Sequence, residues 1–180
     1  MKKIGFMAII CLFAFALVGC GPDDVSTGAE DASGNEENKQ NDQGKNDGEK
    51  RTTVNETKDV GGLKVTVAEV VVREDKIDVG INLENTASHP ITIYPDMDGK
   101  IVIPDMQMQL TANMFMGDSV GGDVSAGVKQ DGVLSFTTDN NKKLTTDEVK
   151  SFNLELGEVV HGETYSTLGK IQFEIAMDGE

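Results

Sequence analysis

Outside the apolar N-terminal run, the thiol of Cys20 is the most reactive group in the sequence; the only other cysteine, Cys11, lies inside that run. As a thiolate it is the side-chain nucleophile that makes a stable thioether. Met106-x-Met108 and Met114-x-Met116, with His89 and His161, offer thioether sulfur and imidazole, donors that suit soft copper(I). Asp96-x-Asp98-Gly99, with Asp105 further on, offers carboxylate oxygens to calcium. Gly117-Asp118-Ser119, with Glu158 and His161 downstream, contains the residue types of a serine hydrolase. Such a serine needs a base within hydrogen-bond reach and an oxyanion hole.

Each of the last three sets has a plainer reading. Calcium wants about six to eight oxygens, yet Tyr94 stands where the loop should start, and Pro95 and Pro104 flank it. A hairpin turn is the better reading. No His-x-Met occurs, and methionine alternating with glutamine is a packing pattern for a strand face, so Met108 is expected to be buried. The hydrolase reading needs helices that the pattern does not supply. No catalytic residue and no cofactor are therefore expected. Metal binding, by copper or calcium, stays as the alternative.

Cys20 is different, because its context agrees with its chemistry. Lys2 and Lys3 precede an uncharged apolar run from Ile4 to Val18. As a helix this run is about 22 Å long, short of the roughly 30 Å hydrocarbon core. It reads as an export signal. Leu17-Val18-Gly19-Cys20 resembles the lipobox of bacterial lipoproteins. The resemblance implies a diacylglycerol thioether on Cys20, cleavage after Gly19, and a chain held on the extracytoplasmic face of the membrane. Two acyl chains make a firm anchor where one gives only marginal binding.

The 180-residue chain carries a formal net charge of −15, which argues against nucleic acid as a partner. The expected partners are the membrane, through the lipid, and an envelope protein. No cysteine follows Cys20, so no disulfide staples the exported part and an apolar core must hold it. Gly21 to Lys58 is polar, with Val25, Ala29, Ala32 and Val54 as its only apolar side chains. Such a stretch offers too little apolar surface to offset its ordering entropy. The organisation that follows is signal 1–19, lipidated cysteine and disordered linker 20–59, and folded domain 60–180. The linker's root-mean-square reach is about 35 Å.

From Val60 onward the period is two. Leu63, Val65 and Val67 alternate with polar residues, and Val70-Val71-Val72 continues after a bulge that changes face. Arg73-Glu74-Asp75-Lys76 is a charged turn, and Ile77, Val79, Ile81 and Leu83 mark a half-buried strand that pairs back as a hairpin. Further strands are expected at Ile91 to Tyr94, Ile101 to Ile103, Met106 to Leu110, Val133 to Phe136, Phe152 to Leu156 and Ile171 to Ile175. The last follows a turn at Gly169. About seven to nine short strands without helical periodicity predict an all-β antiparallel sandwich.

Leu63 to Val72, Ile77 to Asn85, Asp96-Met97-Asp98-Gly99 and Gly132-Val133-Leu134-Ser135-Phe136 together resemble an immunoglobulin-like lipoprotein domain of Gram-positive bacteria. The likeness spans roughly residues 60 to 178, weakest from Pro104 to Val128. It implies an immunoglobulin-like fold and an envelope location, and transfers no catalytic residue.

Overall fold

Alternating apolar residues decide most of the structure, a computed structural model that describes residues 25–28, 48–138 and 142–177. Leu63–Val72 (β2) and Lys76–Asn85 (β3) form the expected hairpin, with Val65 opposite Leu83 and Val72 opposite Ile77. The register shifts between Val67 and Glu69, so Ala68 is the extra residue of a bulge. That shift lets Val65 and Val67 on one side of it, and Val70 and Val72 on the other, all reach one core.

The expected linker boundary at residue 59 is corrected by Lys50–Val60 (β1), which pairs antiparallel with β2 along its whole length. Gly61 and Gly62 join them with φ of 62° and 91°. A two-residue loop with both φ positive matches the twist of a hairpin, and only glycine adopts it freely. Composition hid β1 because it is a half-exposed, charged edge strand. Its stabilisers are backbone pairing and contacts such as the hydrogen bond between the Thr57 and Thr66 hydroxyls, 2.8 Å.

The remaining elements are Ile91–Ile93 (β4), the single turn Pro95–Asp98 (α1), Lys100–Ile103 (β5), Met108–Ala112 (β6), Gly122–Val124 (β7), Lys129–Thr138 (β8), Ser151–His161 (β9) and Thr167–Ala176 (β10). The strand order is β1-β2-β3-β8-β6-β5-β9-β4-β7, with β10 on β9 and every pair antiparallel. The sheet folds over into an all-β sandwich. β2, β3 and β8 supply Val67, Ile81 and Phe136 to the core, with Val54 and Val60 of β1 packed against it, and β5, β9 and β10 supply Ile101, Leu154 and Phe173. Lys58 of β1 reaches the β10 side, donating to the Gln172 carbonyl at 2.6 Å and lying 4.9 Å from the Phe173 ring centre.

Three smaller expectations shift. Met106 belongs to a 3₁₀ turn, Pro104–Met106, and Gln107 takes φ of 50°, so the strand begins only at Met108. Pro104 has no N–H to continue the ladder, which is why the chain breaks there. Gly169 lies within β10 at a register shift instead of preceding it. The short β7 was not expected.

β3 departs most from a half-buried strand, since Ile77 to Ile81 are buried on both faces. One segment covers its outer side, and a second lies on neighbouring β8. Residues 25–28 run across the sheet as a strap: Val25 packs on Val71 and Val133, the Ser26 N–H donates to Glu69 at 2.7 Å, and the Thr27 hydroxyl to Asp131 at 3.2 Å. Next to it, Gly117 presses on the backbone of Val133 to Ser135. The strap corrects the linker reading for residues 25–28 as well.

Gly80 lies directly beneath the strap, where an added Cβ would stand 2.0 Å from the Ser26 carbonyl oxygen. Gly80→Ala is thus expected to lift the strap and cost about 1–3 kcal/mol, as overpacking does. Amide exchange checks it: the Ser26 N–H should lose its protection while the Ile81 N–H keeps most of its own.

Candidate functional site

The structure brings His89 and His161 together and leaves the methionines elsewhere. β4 pairs with the end of β9, Ile91 opposite His161, and the two imidazoles stack with centroids 3.8 Å apart and planes 11° from parallel. His161 Nδ1 accepts from the N–H groups of Glu163 and Thr164 at 3.2 and 3.4 Å, which puts the proton of a neutral ring on Nε2. His89 Nδ1 lies 3.1 Å from the Pro90 carbonyl, so it donates there. Ring-nitrogen lone pairs lie in the ring planes, and nearly parallel planes do not aim them at a common ion.

Met108 pairs with Ile103 and lies at the end of β5 next to Asn153, about 26 Å along β9 from His161. Its side chain is buried, as expected; Met106 is half-buried on its 3₁₀ turn. Met114 and Met116 lie on the turn tied to Ser135, about 20 Å along β8 from Lys129, the end where His89 sits. The combined methionine–histidine set for copper does not assemble.

The aspartates are also divided. Asp96 and Asp98 belong to α1, before β5, and Asp105 follows it, so the four residues of β5 alone hold them about 13 Å apart. Asp98 borders a shallow cleft with Lys100, Glu155, Glu158 and Lys170. Lys100 and Glu155 pair across it at 3.0 Å, so the cleft has no single sign of charge to gather cations. Among the described residues no three His, Cys, Asp or Glu side chains cluster as a metal site would require.

In the Gly117-Asp118-Ser119 stretch, Asp118 accepts the Val133 N–H at 2.8 Å and so fastens the loop to β8. Ser119 is exposed and has no hydrogen bond to His161; Glu158 accepts from the Thr167 hydroxyl at 3.0 Å. The three residues form no triad.

Sequence reasoning missed a buried polar cluster. Asp78, which alternates with the apolar residues of β3, is 1% exposed. Its Oδ1 accepts from the Ser135 hydroxyl at 2.6 Å, and its Oδ2 meets both the Arg73 guanidinium and the Lys76 ammonium, the latter at 2.9 Å. Arg73 also pairs with Glu49, just ahead of β1, at 3.1 Å. The charged turn of the β2–β3 hairpin is thereby clamped to β8 and to the start of β1. One signal was available: Ser135 sits directly opposite Asp78, a small hydroxyl where a β8 residue could have been large. Nearby, the Glu74 carboxyl is held below its usual range by the hydrogen bond from Lys143 and then by its charge. This pair is fully exposed. The Leu144 N–H also donates to the Glu74 carbonyl at 2.7 Å, fixing the segment after β8.

Cys20 and the export signal lie outside the described residues. Among the described residues no helix is long and apolar enough to cross a membrane. The arrangement as a whole is that of a covered, antiparallel β sandwich.

No family model matches the chain, and no curated protein does. Among solved structures it is similar to the yjhA protein of Bacillus subtilis, at 15% identity and a TM-score of 0.45, covering 70% of this chain and 98% of that one. A conserved hypothetical protein of Bacillus anthracis is similar at 16% identity and a TM-score of 0.43, covering 69% and 96%. The candidate lipoprotein ycdA of Bacillus subtilis gives 16% and 0.45, covering 67% of this chain and 38% of that one.

Proposed function

We propose that this chain is an extracytoplasmic lipoprotein, held at the membrane by lipid on Cys20 and displaying its sandwich as a non-enzymatic interaction module for an envelope partner. The observation that carries the reading is Leu17-Val18-Gly19-Cys20 at the end of an apolar run with Lys2 and Lys3 ahead of it. The absence of any later cysteine agrees with it, because the thiol then has one use. The non-enzymatic role is supported by the scattering of the candidate chemical groups.

The reading is tested by growing bacteria that express the full chain with an alkyne-bearing fatty acid. The wild type should take up label and float with membranes. Cys20→Ser should lose all label, since a serine hydroxyl forms no thioether. Equal labelling of the two chains would overturn the proposal.

A further inference from the structure

The turn between β6 and β7 carries Met114-Phe115-Met116 at its tip, and the three side chains are 47%, 89% and 42% exposed. Nothing in the sandwich covers Phe115, yet the turn around it is well made. The Asn113 side-chain oxygen accepts the Phe115 N–H at 3.1 Å, and its carbonyl accepts the N–H groups of Met116 and Gly117 at 3.0 and 3.4 Å. The Met116 carbonyl lies 3.3 Å from the Ser135 hydroxyl oxygen, whose proton goes to Asp78. With the Phe115, Met116 and Gly117 N–H groups satisfied, the tip escapes for those three groups the several-kcal/mol penalty of entering an apolar medium unpaired.

Its position says which medium. Gly117, which ends the turn, lies on the β8 backbone at Val133, and Val133 is also the residue on which Val25 of the strap packs. Val25 is five residues past Cys20. Five residues span at most about 18 Å, well under the 35 Å that a free linker would allow. The turn that carries the tip and the strap that follows Cys20 therefore meet at one residue, Val133, which puts the tip within reach of a lipid-bearing Cys20.

We propose that Met114-Phe115-Met116 is a second membrane contact, its side chains entering the boundary between headgroups and acyl chains beside the lipid anchor. This rests on the reading of Cys20 as lipidated. An aromatic flanked by two flexible thioethers fits a disordered lipid surface, and burial of apolar area drives it. Two points of attachment fix which way the sandwich stands; the acyl chains alone would let it turn.

The chain contains no tryptophan, so Phe115→Trp places a single reporter at the tip. Tyr165→Trp, on the exposed turn after β9, is the comparison. Both are made in the full, lipidated chain and mixed with phosphatidylcholine vesicles, with and without bromine on the acyl chains. For Phe115→Trp the expected result is a blue-shifted emission and several-fold stronger bromine quenching than for Tyr165→Trp. High salt should leave both effects in place, because no charge pairing drives them. Flotation of the vesicles reports the anchor separately. A chain that floats while both tryptophans stay equally wet overturns the tip contact and leaves the anchor standing. A chain that does not float overturns the anchor reading and this inference with it. A blue shift that grows with protein concentration in the absence of vesicles would assign the tip to a second copy of the chain, and so overturns it too.

Discussion

Replacing Asp78 by alanine is expected to lower the stability of the sandwich by about 3–5 kcal/mol, the range for breaking a buried ion pair. The carboxylate is the shared acceptor of Arg73, Lys76 and the Ser135 hydroxyl, and it is 1% exposed. Its removal takes from the two cations and the hydroxyl the acceptor they share, and the Arg73 and Lys76 side chains are themselves only 17% and 12% exposed. Against a typical domain stability of about 5–15 kcal/mol, the loss is large enough to see as a shifted urea midpoint. Ser135→Ala removes only one neutral donor to the same group and should cost about 1–2 kcal/mol. If Asp78→Ala proved as mild as Ser135→Ala, the cations would have to reach solvent in the folded chain, and the clamp would be a surface feature.

Phe136→Ala is expected to cost about 3–5 kcal/mol for a different reason, the cavity left by a large ring. Phe136 is fully buried on β8, opposite Ile77 of β3, and β6 places Ala112 opposite it on the other side. Here β8 joins β3 to β6 in the strand order. The ring also lies against the exit of α1, since a Cβ added at Gly99 would come within 3.2 Å of it. The void would open beneath α1, so the Ala112 N–H, which donates to the Gly99 carbonyl at 2.9 Å, should exchange faster than in the wild type. Thermal melts of Phe136→Ala and Phe136→Leu give the check: leucine refills much of the volume and should recover over half of the loss. Equal losses would mean that the ring's shape, not its volume, holds the layers together.

The strands that face one core were readable, because a period of two needs no knowledge of anything else in the chain. Ile77, Val79, Ile81 and Leu83 reach the core as their spacing says. What lies over the other side of a strand is not written in that strand. Asp78 and Gly80 alternate with those residues, yet both are buried: Ser26 comes from a distant part of the sequence to lie on Gly80, and Arg73, Lys76 and Ser135 close around Asp78. β1 failed for a related reason: pairing at an edge satisfies its backbone whatever its side chains are, so its charges said nothing of its conformation. The two glycines between Val60 and Leu63 were the local clue. Of the candidate groups, proximity of His89 and His161 needed the β4–β9 pairing, a long-range contact that spacing does not encode. The same pairings separate them from Met106 and Met108.

The strap has one further consequence, for how the molecule could leave the surface that holds it. Residues 29–47 connect the strap to the start of β1, so the strap acts as a ligand built into its own receptor, at a high effective concentration. A single peptide-bond cleavage within that stretch would turn the strap into a separate peptide and its docking into an ordinary dissociation equilibrium. Among the described residues, the bound fragment would keep one buried valine, worth about 1.5–3 kcal/mol, and a few hydrogen bonds, far too little for a long residence time. With lipid on Cys20, one cut between the strap and β1 would be enough to shed the sandwich into the surrounding fluid.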